Sequence, residues 1–279
     1  MAVIINSNLS ALNARKNLEI SQSNLATSIA RLSSGMRITR ASDDAAGLAI
    51  SEKLNAQIRG FAQASRNASN GISVVATAEG TLNEVTTLLT RMRELAVQAA
   101  SGDLGSTERG NLDTEFGALL DEIDRMVSAT KFNGTNLFST GAVVTTSFQI
   151  GINSGDTLAV DVAQANVSAL ASGAITSASK IDTAASAAGL LAGIDTAISN
   201  VTTNRGSLGA VQNRLESIVR NLAVTIETTT AANSRIRDVD VAEETATYTK
   251  NQILVQAGVS VLAQANQQPQ IALSLLGGR

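Results

Sequence analysis

A sustained three-four repeat of apolar residues is the feature that most limits what this chain can become. Leu54, Ile58, Phe61, Ser65, Ala68, Ile72, Val75, Glu79 and Leu82 step alternately by four and three. After one phase step the repeat resumes at Val85, Leu89, Met92, Ala96 and Ala99. A 3.5-residue repeat held this long is a coiled-coil seam, because it keeps one stripe of a helix facing a partner helix. At about 1.5 Å per residue, a helix over 44–100 would span roughly 85 Å. A second seam runs through Leu208, Val211, Leu215, Ile218, Leu222, Thr225, Thr229, Ala232 and Ile236. If the middle of the chain folds back as one unit, the two seams pair antiparallel.

The punctuation agrees with long helices. Only one Pro occurs in 279 residues, so little interrupts a helix. Asp43-Asp44 precedes the first seam as a helix cap, and Ser101-Gly102-Asp103 follows it. A further helix is predicted from about Ser106, with Leu112, Phe116, Leu119, Ile123 and Met126 on one face. Lys131-Phe132-Asn133-Gly134 then reads as a turn. Phe148, Ile150 and Ile152 alternate with polar residues, as do Leu158, Val160 and Val162, and Asn153–Asp156 lies between them as the turn of a β-hairpin. Residues 165–200 are rich in Ala, Ser and Thr; they read as loop until about Ala184, where a helix begins. The expected fold class is mainly α, with long antiparallel coiled-coil helices from the two ends and a small β-hairpin between them.

Composition narrows the function. The chain has no Cys and no His, which removes thiolate and imidazole chemistry and the usual soft metal ligands. A net charge of −3 gives no nucleic-acid footprint. The first residues lack the basic and long apolar regions of a secretory signal, so an exported product would use another route. No stretch has the ~20 continuous apolar residues of a membrane helix. The carboxylate groups at Asp43-Asp44, Asp121-Glu122 with Asp124, and Glu243-Glu244 fall on helices or their ends, where caps and solvated faces explain them better than paired catalytic acids. No cofactor motif is present.

The termini point to assembly. Residues 1–14 and 251–278 carry no side-chain charge. Leu18, Leu25, Ile29, Leu32 and Met36 keep heptad-like spacing, and Val255, Val259 and Leu262 head an apolar, amide-bearing stretch. A lone chain can pair these helices but cannot cover them on all sides. On pattern alone, a monomeric bundle or a soluble coiled-coil adaptor stays open beside a self-assembling subunit.

Ordered motifs sharpen this. Ile4–Ala14, Leu32–Ile38, Ser42–Ile50, Arg91–Gln98, Asp121–Arg125, Lys131–Gly134, Leu208–Leu215, Ser234–Asp238, Ala257–Gln267 and Leu273–Leu276 resemble bacterial flagellin in order and register. The resemblance covers about 1–140 and 184–279. It implies a structural subunit of the flagellar filament, not an enzyme, with a hook–filament junction protein as the alternative within that system. It implies inner filament-core helices over 1–43 and 237–279, a long-helix bundle over 44–139 and 180–236, and a short surface insert over 140–179 in place of large outer domains. Filament-core packing would fall to Leu25, Ile29, Leu32, Val255, Val259, Leu262, Leu273 and Leu276. The implied partners are copies of the chain, an export chaperone, cap and junction proteins, and a host Toll-like receptor. The family's receptor patch maps to Arg91, Leu95 and Glu115, positions that can equally serve protofilament packing. Cofactors, metals, nucleic acid and membranes are not implied. Ser and Thr in 139–179 offer sites for O-linked glycans of the kind some flagellins carry.

Overall fold

The computed structural model describes residues 7–139 and 141–277, and of 268–277 the backbone alone. Six helices and four strands follow in the order α1 (Leu9–Ser34), α2 (Ala45–Ala99), α3 (Ser106–Ala129), β1 (Lys131–Phe132), β2 (Thr135–Asn136), β3 (Val144–Gln149), β4 (Thr157–Val162), α4 (Val167–Leu170), α5 (Ala184–Arg237) and α6 (Val241–Gly277). They divide into two compact units, one of 57–227 and one of 1–56 with 228–279.

In the 57–227 unit, the two seams pair antiparallel. Arg205 meets Glu79 and Arg93 meets Asp195, so numbers fall along α5 as they rise along α2. Leu82, Val85, Leu89, Met92, Ala96 and Ala99 of α2 are buried, as are Leu208, Leu215 and Leu222 of α5. Removing each such side chain from water contributes about 1.5–3 kcal/mol, which is why the repeat fixes the pairing. α3 adds Phe116, Leu120, Ile123 and Val127 to the same core. Its buried face is thus wider than the expected stripe: Leu112, Leu119 and Met126 sit at the margin, half-buried.

The turn after α3 is a two-residue hairpin joining β1 and β2. Asn133 and Gly134 have φ of 50° and 82°. Positive φ at both central residues gives the twist that antiparallel strands need, and Asn-Gly tolerates it. In the larger hairpin, Val144 pairs with Val162 and Phe148 with Leu158. Leu158, Val160 and Val162 all face the core. Strand β3 stops at Gln149, short of the expected Ile150 and Ile152. The reason is local: Gln149 Nε2 donates to the carbonyls of Gly151 and Asn153, and the Asp156 carboxylate accepts from the Asn153 amide at 3.0 Å.

Residues 163–183 are not solvent-facing loop. Ala165, Val167, Leu170, Ile175 and Ile181 are all buried. Polar side chains pin this irregular backbone. The Ile181 amide donates to Asp113 at 2.7 Å and the Val167 amide donates to Asp124 at 3.3 Å. Asn200 Nδ2 donates to the Leu170 carbonyl at 2.7 Å.

In the other unit, α1 packs against α6. Their connections to the long helices also pair: the Arg37 amide donates to the Arg237 carbonyl at 2.7 Å, and the Val239 amide to the Gly35 carbonyl at 3.1 Å. Asp44 Oδ1 accepts from the Gly47 amide at 2.8 Å, capping α2, while Asp43 Oδ2 accepts from the Thr39 and Arg40 amides.

Candidate assembly surface

The α1–α6 seam keeps a strict heptad. On α1 the inward positions are Ala11, Ala14, Leu18, Ser21, Leu25, Ser28 and Leu32; on α6 they are Glu244, Tyr248, Asn251, Val255, Gly258, Leu262 and Ala265. Three contacts fix the antiparallel direction. Asn8 Nδ2 donates to the Ala265 carbonyl at 2.7 Å, Gly258 lies against Leu18, and Arg31 faces Glu244 at 3.6 Å. A Cβ added at Gly258 would lie 3.2 Å from Leu18 Cδ1, so glycine here sets how closely the helices approach.

This seam is narrow and partly polar: its buried members are Ser28, Glu244, Asn251 and Ala265. Further large aliphatic side chains lie elsewhere on the two helices. Leu9, Leu12, Ile20 and Ile29 of α1 are exposed, as are Val241, Ile253, Leu254, Val259 and Val261 of α6. Leu12 is 63% exposed and Val259 53%. Large aliphatic side chains exposed in this number mark an interaction site. Among the expected packing residues, Leu25, Leu32, Val255 and Leu262 are half-buried between α1 and α6, whereas Ile29 and Val259 face outward. The side chains of Leu273 and Leu276 lie outside the described residues.

A second surface lies on α2 and α3. Arg91 Nε donates to Glu115 Oε1 at 2.9 Å, and Arg91 Nη1 donates to Glu94 Oε2 at 3.0 Å. The Glu115 hydrogen bond, then that of Glu94, holds the Arg91 guanidinium above its usual pKa. Arg91 and Glu115 are thus brought together on the surface. Leu95 is not: at 1% exposure it belongs to the core beneath them. Glu94, next to Leu95 in sequence, is the side chain that reaches Arg91; an i,i+3 spacing from Arg91 is the signal that finds it.

Among the described residues, no cluster of acidic side chains could hold a metal ion, and no helix is long and apolar enough to cross a membrane.

Comparison with known proteins gives these surfaces their context. The family model for the bacterial flagellin N-terminal helical region matches residues 5–143, and that for the flagellin C-terminal helical region matches residues 191–276. The chain belongs to the bacterial flagellin family. It is 46% identical to a flagellin of Halalkalibacterium halodurans over 98% of this chain and 100% of that one. It is 44% identical to a flagellar filament core protein of Brachyspira hyodysenteriae over 98% of this chain and 100% of the relative. The crystal structure of Bacillus cereus flagellin superposes with a TM-score of 0.51 at 31% identity, covering 56% of this chain and 88% of that one. As a flagellin, the chain is a structural subunit that polymerises into the flagellar filament, an extracellular helical homopolymer. It is a short form: relatives of matching length align end to end, and the segment between the two matched regions holds only the hairpin β3–β4, the packed 163–183 stretch and the start of α5.

Proposed function

We propose that α1 and α6 form the innermost layer of the filament, with their outward aliphatic faces buried by neighbouring subunits. The observation that carries this reading is the exposure of Leu9, Leu12, Ile20, Ile253, Val259 and Val261 on helices that carry no side-chain charge over 251–278 and none before Arg15. Burying such surface supplies about 25 cal/mol per Å², and uncharged partners add no desolvation cost. Ile29, Val259, Leu273 and Leu276 then pack between subunits, while Leu25, Leu32, Val255 and Leu262 hold the pair within one. The long-helix bundle over 44–139 and 180–236 forms the next layer, and the hairpin and loop over 140–179 sit on its surface with Leu158, Val160, Val167 and Ile175 packed inward. Removing residues 251–279 tests this: the truncated chain stays soluble and forms no filaments in electron micrographs under conditions where the full chain does. Filaments of normal length from the truncated chain would refute it.

The subunit's further partners follow from the same surfaces. Before assembly the α6 face suits an export chaperone, and at the filament's ends the same helices dock cap and junction proteins. Export proceeds without a cleaved signal peptide. The Arg91–Glu115 pair serves contacts between protofilaments, and in a free monomer it presents a charged patch to a host Toll-like receptor. Arg91→Ala then lowers the response of receptor-bearing cells to purified monomer. Cells that stay silent with the unaltered monomer would sink the receptor role while leaving the packing role intact. Catalysis has no place in this reading.

A further inference from the structure

The middle of α2 is helical against its own sequence. Over 67–90 its solvent-facing positions include Ser69, Asn70, Ser73, Thr77, Gly80 and Thr87. Packing does not choose the residues at such positions, and strong helix formers normally fill them. Ser, Asn and Thr instead compete for backbone hydrogen bonds, and Gly is the weakest helix former after Pro. The hydroxyls do compete here. Ser69, Ser73, Thr77 and Thr81 each donate to the carbonyl four residues back, and Thr87 and Thr90 repeat the pattern. Gly80 has open space where a Cβ would go, so nothing in the fold requires a glycine there. The only charges in the stretch are Glu79, which faces Arg205 of α5, and Glu84. It therefore lacks the ion pairs along its own face that support exposed helices.

The buried face of the same stretch pulls the other way. Val74, Val75, Ala78, Leu82, Val85 and Leu89 are almost fully withdrawn from solvent. The helix thus depends on the cover of this stripe, and the cover comes from afar in sequence. Arg93 meets Asp195, 102 residues further along the chain. A Cβ at Gly71 would meet Leu215 of α5 and Phe148 of the β3–β4 hairpin. A heptad stripe of Val, Leu and Ala is not selective: identical helices from two chains can pair through it as well. A helix over α2 that was stable by itself would offer that seam to other copies before its own partners reached it.

We propose that the 67–90 stretch is a conditional helix. Its weak solvent face keeps α2 from forming alone, and so keeps its seam from pairing with a second copy of the chain until α3, α5 and the hairpin cover it. The weakness is local. Just beyond it Arg91 and Glu94 pair at 3.0 Å, and α3 carries Glu122 with Arg125 at 2.6 Å. The device belongs to the 57–227 unit and holds whether or not α1 and α6 line the filament.

A full-length variant with Asn70→Ala, Ser73→Ala, Thr77→Ala, Gly80→Ala and Thr87→Ala strengthens the solvent face and keeps every buried side chain. Parent and variant are unfolded in urea and refolded by dilution at several protein concentrations, for times too short for filaments to grow. Stopped-flow circular dichroism reads early helix, and light scattering reads association. The parent gains its helix together with the folding of the unit and stays monomeric. The variant gains helix earlier, and its loss of monomer grows with protein concentration. Its urea midpoint is nevertheless higher than the parent's, so the lost monomer is not a folding defect. Should the midpoint fall instead, Gly80→Ala alone repeats the measurement; it shifts the folded-to-unfolded ratio about fivefold towards folded. Gly110→Ala with Thr114→Ala makes the same kind of change on the exposed face of α3 and raises the midpoint without association. Early helix in a variant that stays monomeric would overturn the proposal. So would early helix over α2 in the parent, a variant with no early helix, or equal association in the α3 control.

Discussion

The two compact units use the same heptad device and fill it differently. In the 57–227 unit the large aliphatic side chains turn inward, and Leu82, Leu89, Met92, Leu208 and Leu215 are buried. In the terminal unit the seam mixes Ala, Ser, Gly, Asn and a charged pair with Leu18, Leu25, Leu32, Val255 and Leu262, and further large aliphatic side chains, Leu12, Ile20, Ile253 and Val259 among them, are exposed. The first arrangement completes its core within one chain. The second leaves large aliphatic side chains exposed, the face we propose is covered by copies of the chain. Periodicity alone does not separate the two cases; the large aliphatic residues that fall off the stripe and stay exposed do.

The sharpest way to break this comparison is the same substitution in both units. Leu89→Ala removes a fully buried side chain and costs about 2–5 kcal/mol, read as a lowered urea midpoint of the soluble protein. Leu12→Ala changes the same melt by no more than about 0.5 kcal/mol, because Leu12 is mostly exposed among the described residues. It raises instead the protein concentration needed for filament growth. Equal losses in the two melts would show that the terminal pair is a closed core after all.

Next in size is the polar pinning of the central unit. The Ile181 amide donates to the Asp113 carboxylate at 2.7 Å beside the buried Ile181 and Ile175 side chains. Asp113→Ala removes a charge-assisted bond and costs about 1.5–3 kcal/mol. Limited proteolysis then cuts first within 171–183. A variant that melts normally and resists cleavage there would mean that apolar packing alone holds the segment.

A smaller effect belongs to the β1–β2 turn. Gly134 has φ 82° with open space where a Cβ would go, so its substitution meets conformational strain without a clash. Gly134→Ala costs about 1 kcal/mol in the same melt. A neutral result would show that the turn relaxes freely.

These elements differ in how legible they are from sequence. The paired seams of α2 and α5 are plain because branched and aliphatic residues recur on one stripe for many turns. Asp44 as a cap and the hairpin partners Phe148 and Leu158 are plain for the same local reasons. The 163–183 stretch is hidden, since Ile175 and Ile181 anchor irregular backbone that has no period, and their partners Asp113 and Asp124 look like solvated helix residues. Of the receptor-patch positions, Arg91 and Glu115 meet as salt-bridged neighbours, but motif matching cannot tell that Leu95 points into the core. In α1, heptad spacing groups Ile29 with Leu25 and Leu32, yet Ile29 sits at the flank of that face and is half exposed.

The smallest effect is electrostatic and returns to the terminal unit, whose order leans on polar contacts. Asp43 Oδ2 accepts hydrogen bonds from the Arg40 amide at 3.0 Å, the Thr39 hydroxyl at 2.9 Å and the Thr39 amide at 3.1 Å. These hold its carboxyl below the ordinary value of 3.8, the Arg40 amide most strongly. A carboxyl with a depressed folded pKa stabilises the fold fully above its unfolded value and loses that contribution as pH falls through the folded one. Asp43 therefore steadies the 39–43 loop at neutral pH and releases it below about pH 4. Because the group is solvent-exposed the effect is small and screened by salt. Asp43→Asn cannot ionise, so protection of the Thr39 and Arg40 amides should be lower than in the unaltered chain at neutral pH. The gap should then close on acidification. A gap that widened as pH fell would reverse the sign and refute the role given to the Asp43 carboxylate.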